Sequence, residues 1–252
     1  MSGTVIITGG TKGIGAGIAR QFHNAGWSVV IGARHDNGFA EELGERANFQ
    51  VMDVRKAGDH MAAINAARNW SGRFDAYVNC AGFSAWKSVE HIDAGFWETM
   101  VATNLTGTLW GCQAAAAAFA EAENDGVIVN VSSLAGKRGS ARNTAYCATK
   151  FGVNGITQSL AKELGAAGIR VNAVCPVYVE TPGVLEALED PVSPAEGRKV
   201  ADYLDEFTQA NTALKRLPQA HEVGELCLFL ASDAASAVTG QCINVDCGVL
   251  PQ

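Results

Sequence analysis

Seven short runs rich in aliphatic residues constrain this chain more than any other feature of its sequence. They are Val5–Ile7, Ser28–Ala33, Asn48–Val54, Phe74–Asn79, Val127–Val131, Ile169–Val174 and Gln241–Val245. Each has strand length, and most lack the polar alternation of a strand with one wet face, so they read as strands buried on both sides. Helical stretches separate most of them: one ending near Ala25, then Lys56–Trp70, Phe96 to about Ala122, Tyr146–Leu164 and Glu222–Ala231. Parallel strands need such crossovers. The alternation therefore predicts an α/β fold, a single doubly wound parallel seven-stranded sheet with helices on both faces. No linker divides it, and residues 1–252 are expected to form one domain. Residues 183–219 break the rhythm. They are polar and acidic and contain Pro191, Pro194 and Pro218, which predicts an excursion of one or two helices serving as a mobile lid.

Composition excludes several roles. The formal charge of −7, with no Lys/Arg cluster to offset it, argues against nucleic acid as a partner. Met1-Ser2-Gly3 runs straight into TVIIT with no charged start and no cleavage site, so no signal peptide is expected. The longest apolar candidate for a membrane span, around Leu105–Ala120, is Ala-rich and contains Thr, Gly and Gln. The seven Cys include no CxxC and mostly sit in apolar segments, the pattern of buried thiols in a reducing cytosol rather than of disulfides. The five His form no ligand spacing, and no metal site is expected. A cytoplasmic protein without a membrane partner follows.

The first strand ends in Thr8-Gly9-Gly10-Thr11-Lys12-Gly13-Ile14-Gly15 and leads into a helix. Strand, glycine turn and helix together suit a pyrophosphate, because glycines admit close backbone approach and a helix N-terminus offers free N–H groups. Tight βα turns without a ligand look similar. In a Rossmann-type sheet the residue just past the second strand meets the adenosine ribose. Here Ala33 is followed by Arg34 and His35, and Lys12 stands in the glycine loop. Two cations there favour the 2′-phosphate of NADP(H) over NAD(H); the alternative is a solvated Arg34 with Asp36 on the ribose.

Gly82 and the Ser132-Ser133 turn stand at the ends of the fourth and fifth strands, and Asp53 ends the third. Ligands of open α/β sheets bind at the carboxyl ends of strands, so Gly13, Gly82 and Ser133 are expected to converge on one crevice. Asn104, a residue mildly unfavourable inside a helix, is either a packing accident or a polar group facing that site. Tyr146 and Lys150 lie four apart on a helix, hence on one face. A close cation favours phenolate, and lowering a Tyr pKa by about 3 units takes roughly 4 kcal/mol. Alone, the pair also fits a half-buried tyrosine beside a solvated lysine.

Taken together, Thr8-Gly9-(x)3-Gly13-x-Gly15, Asp53, Asn79-x-Ala81-Gly82, Asn104, Ser133, Tyr146-x-x-x-Lys150 and Pro176…Thr181 resemble the short-chain dehydrogenase/reductase family over essentially the whole chain. The resemblance implies roles. Tyr146 would be the general acid/base, Lys150 would lower its pKa and hold the nicotinamide ribose, and Ser133 would polarise the substrate oxygen while Ser132 is structural. Asn104 would hold a water linking Lys150 to solvent. Asp53, with Val54 beside it, would meet the adenine, and Asn79, Ala81 and Gly82 would line the adenosine side. Gly9, Thr11, Lys12, Gly13, Ile14 and Gly15 would cradle the phosphates, and Pro176, Val179 and Thr181 would flank the nicotinamide. A homotetramer is implied, with a dimer as the lesser form, and the Ala-rich 114–118 run would suit close helix packing. Three departures stand out: Val177 and Cys247 replace family glycines, and Cys80 replaces the commoner Asn.

The implied activity is hydride transfer between an NADP(H) cofactor and a small-molecule carbonyl or secondary alcohol, working more as a carbonyl reductase. An NAD-dependent alcohol or sugar dehydrogenase is the alternative, and a silent NADPH-sensing protein is the alternative of another class. Phe83–Lys87, Leu134–Arg138, Val177-Tyr178 and the 183–212 segment are expected to shape the substrate pocket. Trp86 and Tyr178 are candidates to stack on a ring or sugar, or plain packing residues.

Overall fold

A computed structural model of the chain describes residues 3–251. Met1 and Ser2, expected to begin the chain without a leader, lie outside the described residues. Seven strands, all parallel, form one sheet in the order β3-β2-β1-β4-β5-β6-β7. They are β1 (Thr4–Thr8), β2 (Ser28–Ala33), β3 (Ala47–Val51), β4 (Ala76–Asn79), β5 (Gly126–Val131), β6 (Ile169–Pro176) and β7 (Cys242–Val245). The order reverses at β1, which lies between β2 and β4. The two βα connections diverge there, leaving a crevice above the strand ends.

Both faces of the strands are apolar, and alternation assigns each residue to one core. Val5, Ile7, Val29 and Ile31 pack against α1 (Gly13–Asn24), which brings Ile18 and Phe22 to a core that also holds Val127 and Val129. Ile6, Val30, Tyr77 and Ile128 point the other way. They meet α3 (Ala57–Ser71) through Ile64 and α5 (Gly107–Glu121) through Ala115 and Phe119. Ala114, Ala115 and Ala118 are buried in this core, so much of the Ala-rich run packs within the chain.

Several boundaries differ from expectation. β3 stops at Val51 because β2 ends opposite it at Ala33; Met52 still donates to the Ala33 carbonyl, then Met52 and Val54 turn into the core. Asp53 thus follows the strand rather than ending it. A five-residue helix, α2 (Phe39–Leu43), was not anticipated; it buries Phe39 and Ala40. The stretch from Phe96 to Ala122 is two helices, α4 (Ala94–Val101) and α5, joined by a π-helical turn over Ala102–Thr106. The catalytic-motif helix, α6 (Thr144–Leu164), and α9 (Ala220–Ala231) match closely.

The 183–219 excursion contains α7 (Pro182–Leu188) and α8 (Val200–Asn211). It is a packed cap with its own core: Trp86, Leu188, Leu204 and Leu217 are buried together, with Val177, Tyr178, Tyr203 and Phe207 against them. Tyr178 meets Phe207 edge-on at 5.0 Å, and its hydroxyl lies 3.2 Å from that of Tyr203. Trp86 and Tyr178 are therefore packing residues of the cap.

Candidate active site

The ends of β1, β4, β5 and β6 meet above the sheet. The Thr8 hydroxyl accepts hydrogen bonds from the Cys80 and Ala81 N–H groups, both at 3.0 Å, and so ties the glycine turn to the end of β4. Gly9 has φ +67°, and a Cβ there would stand 2.8 Å from the Ala81 Cα. Gly13 has φ +55°, and a Cβ there would stand 3.4 Å from the Thr181 Cβ. The turn thus touches both walls of the crevice with bare backbone. α1 begins at this turn with no side-chain cap and no acid in its first turn, which leaves its N–H groups to an anion. These residues fit a dinucleotide pyrophosphate.

The adenosine end is less as expected. Lys12 and Arg34 are exposed, and among the described residues neither forms an ion pair. The Asp36 carboxylate accepts from the Gly38 N–H at 2.9 Å, and Asn37 donates to the Thr11 carbonyl at 2.9 Å, folding the loop onto the glycine turn. The Asp53 carboxylate is held by the Arg55 guanidinium, with Nε 2.9 Å from Oδ1, and that ion pair lowers its pKa to about 2. Asn79 does not line the crevice with its side chain: it is buried and donates to Asn130 Oδ1 at 2.9 Å, while Asn130 donates to Thr157. Val179 is likewise buried in the core. Val54 packs on Gly107, and its carbonyl meets His60 Nε2 at 2.9 Å.

At the centre, Lys150 is buried and its Nζ donates to the Val131 carbonyl at 2.8 Å, at the end of β5. The ammonium lies 5.6 Å from the Tyr146 ring centroid. A Cβ on Gly82 would stand 3.0 Å from Asn104 Oδ1 and 3.9 Å from Lys150 Nζ, which puts Asn104 and Lys150 beneath the crevice floor. Asn104 clamps the Phe83 backbone, accepting from its N–H at 3.0 Å and donating to its carbonyl at 2.8 Å. It is therefore no packing accident. Ser133 Oγ accepts from the Ala135 N–H at 3.1 Å, whereas Ser132 is buried and donates to the Lys150 carbonyl at 3.2 Å.

Burial dominates the electrostatics. It pushes the Tyr146 phenol up to about 12, with the Ser133 hydroxyl opposing, and pushes Lys150 down to about 8. The expected lowering of Tyr146 by Lys150 is not what this geometry gives. The ammonium is drawn to the Val131 carbonyl, and a desolvated phenolate costs more than a cation at this distance returns.

The three departures resolve separately. Val177 is absent from the residues with left-handed backbone; its N–H donates to the Val245 carbonyl at 3.2 Å, so it extends the β6–β7 pairing. Cys247 does take a glycine-like φ of 52°, and its carbonyl accepts from Ala213 and Leu214, fastening the end of the cap. Cys80 is tolerated with its thiol raised to about 12 by burial. Thr8 opens the glycine motif in the sequence, but its role, a hydroxyl that joins two strand ends, is visible only in the fold. Among the described residues no cluster of His, Cys, Asp or Glu could hold a metal ion, and no helix is long and apolar enough to cross a membrane.

A sheet with a glycine cradle at its switch point and a half-buried Tyr146 beside a buried Lys150 across the crevice defines a Rossmann-type oxidoreductase. Comparison with known proteins narrows the class. The family model described as enoyl-(acyl carrier protein) reductase matches residues 9–250. L-2,3-butanediol dehydrogenase of Corynebacterium glutamicum is 32% identical over 99% of this chain and 99% of its own. The 3-oxoacyl-(acyl-carrier-protein) reductase FabG of Chlamydia trachomatis is 31% identical over 98% and 96%. An actinorhodin polyketide ketoreductase variant solved with NADPH superimposes with a TM-score of 0.90, at 34% identity over 98% of this chain and 97% of that one. The chain belongs to the short-chain dehydrogenase/reductase family, and it is an oxidoreductase acting on CH–OH and keto groups.

Proposed function

We propose that the chain is an NADP(H)-dependent carbonyl reductase, interconverting a ketone or aldehyde and its alcohol. The observation that carries this is the half-buried Tyr146 phenol one helical turn from the buried Lys150 ammonium, which lies 5.6 Å from the phenol ring centroid. A protonated phenol is ready to give a proton, which is what reduction of a carbonyl requires. The choice of NADP(H) is supported by Arg34 and Lys12, exposed and free of ion pairs among the described residues, while Asp36 is engaged in its own turn. It is also supported by the ketoreductase variant that was solved with NADPH.

When bound, the cofactor supplies hydride from its nicotinamide C4. The chain does the rest. Ser133 donates a hydrogen bond to the substrate carbonyl oxygen and polarises it. Tyr146 gives its phenolic proton to that oxygen as the alkoxide forms. Lys150, held at the Val131 carbonyl, offsets the charge of the phenolate left behind and passes it a proton, and Lys150 is in turn reprotonated through a water that Asn104 holds. Gly9, Thr11, Gly13, Ile14 and Gly15 cradle the pyrophosphate, and Ala81, Gly82, Pro176 and Thr181 form the walls. Tyr146 and Lys150 also meet the nicotinamide ribose.

The first test is a fluorescence titration with NADPH and NADH, followed by turnover of a carbonyl panel. NADPH should bind at least ~10-fold tighter, about 1.4 kcal/mol. Arg34→Asp should raise KM for NADPH far more than for NADH; equal effects would remove the 2′-phosphate role. Tyr146→Phe should keep NADPH binding and lose ~10²–10⁴-fold in turnover. Tighter NADH binding would instead favour an NAD-dependent dehydrogenase.

A further inference from the structure

Ser133 stands on a turn rather than on a helix or strand, yet its hydroxyl has to meet a substrate oxygen at a fixed place. Such a group keeps its place only if the turn itself is fastened. β5 ends at Val131, and Leu134–Gly136 forms a single 3₁₀ turn with Ser133 at its N-cap. The Ser133 carbonyl accepts from the Gly136 N–H at 2.9 Å, and its Oγ accepts from the Ala135 N–H at 3.1 Å. These bonds set the shape of the turn. Three contacts with α6 set where it sits. Before Ser133, the Ser132 hydroxyl donates to the Lys150 carbonyl at 3.2 Å. After it, Gly136 lies so close to the helix that a Cβ there would stand 2.6 Å from the Lys150 carbonyl oxygen. At the same point Asn154 Nδ2 donates to the Gly136 carbonyl at 2.9 Å. Asn154 is 8% exposed, and its Oδ1 accepts from the Cys175 thiol of β6 at 3.9 Å. At i+4 from Lys150 and i+8 from Tyr146, it shares their face of α6. No step of the reaction uses it.

We propose that Asn154 is a positioning residue: its amide holds the Gly136 carbonyl on α6 and thereby sets where the Ser133 hydroxyl stands relative to Tyr146. This rests on Ser133 polarising the substrate oxygen as set out above. With Ser132 tied on one side of Ser133 and Gly136 on the other, the turn is fastened at both ends to the helix that carries Tyr146 and Lys150. The three groups then move as one body. Without the Asn154 amide, the Gly136 carbonyl is a buried acceptor with no donor, which is costly. The turn relaxes toward a new partner and carries Ser133 with it. A small misplacement of a polarising group is enough to slow the chemical step.

The test is a double-mutant cycle, using the fastest ketone of the carbonyl panel and the tighter-binding cofactor. Single-turnover conditions, with enzyme in excess, allow the slow Ser133→Ala variant to be followed. Asn154→Ala should lower the rate of the chemical step by on the order of 10-fold. The cofactor Kd should stay within about 2-fold of the wild type. In a Ser133→Ala background the same change should cost less than about 2-fold, because no hydroxyl is left to misplace. Thermal melting supplies the contrast: the fall in Tm caused by Asn154→Ala should be the same in both backgrounds, since the lost hydrogen bond does not involve the Ser133 side chain. If the alanine variant does not fold, Asn154→Leu, of similar volume and without the N–H, carries the same cycle. Equal rate losses with and without Ser133 would overturn the proposal and leave the reductase reading standing, and so would an unchanged rate in Asn154→Ala. Full activity of Ser133→Ala alone would remove Ser133 from the reaction and the proposal with it, while Tyr146→Phe still tests the rest of the reductase reading. No turnover of any ketone with either cofactor would overturn both together.

Discussion

At the scale of single residues, the half-buried Tyr146 and the buried Lys150 set the chemistry, and their shifts have opposite signs. Burial disfavours each charged form, raising the acid Tyr146 to about 12 and lowering the base Lys150 to about 8. Only Lys150 titrates in the working range. Its ammonium is present below pH 8 and lost above it, so kcat/KM for carbonyl reduction should hold level from pH 6 to 7 and fall with an apparent pKa near 8. Lys150→Arg keeps a cation that does not deprotonate. The variant should be slower yet lose that alkaline limb. A pH–rate profile between 6 and 10 decides it, and a limb that survives in the arginine variant belongs to another group. The same shift links to stability. Between pH 8 and the unfolded lysine value of 10.5 the unfolded chain binds more protons, so the Lys150 contribution should rise with pH there.

At the scale of elements, the strands are spaced by helices that come unusually close, and one contact can be broken singly. Gly111 on α5 faces the sheet where Asn79 of β4 bonds Asn130 of β5. A Cβ at Gly111 would lie 2.0 Å from Asn79 Oδ1 and 2.9 Å from its Cγ. The amide would have to leave Asn130, which in turn holds Thr157 of α6. Gly111→Ala should therefore destabilise the fold by about 1–3 kcal/mol despite its better helix propensity. For a chain of this size that is a fall of roughly 2–4 °C in Tm per kcal/mol, readable by thermal melting. A melting temperature that rises would mean that propensity wins and the contact is soft. The π-helical turn at 102–106 is the companion case, since it re-aims Asn104 toward the Phe83 backbone.

For the whole molecule, the cap and the sheet are joined through a small core centred on Trp86, which comes from the loop after β4 and packs on Leu188, Leu204 and Leu217 of the cap. Trp→Ala changes in such places cost about 3–5 kcal/mol. Here the loss should fall on the cap rather than on the two sheet cores, which Trp86 does not join. Trp86→Ala should thus open the 189–199 connection to limited proteolysis and raise substrate KM, with the sheet still folded by circular dichroism. Unchanged protease resistance would show that the cap is held by its other contacts, among them the Cys247 carbonyl that anchors Ala213 and Leu214.

What the chain declares by itself is whatever short-range physics decides. Val5–Ile7 and Ser28–Ala33 read as doubly buried strands because their two alternating faces are both apolar, and the glycine turn between them follows from local backbone requirements. The Tyr146–Lys150 pair is visible because helical spacing alone puts the two side chains on one face. The orientation of polar groups is different, because it depends on partners far away in sequence. Arg55 taking the Asp53 carboxylate, Asn79 turning inward to Asn130 and Lys150 bonding Val131 each follow from what the fold brings near. The same holds for the cap, read from its prolines and acidity as a loose lid but closed by Trp86 from a segment about a hundred residues earlier. Periodicity selects the elements; desolvation and hydrogen-bond completion, which act only once the chain is compact, decide what each site residue faces.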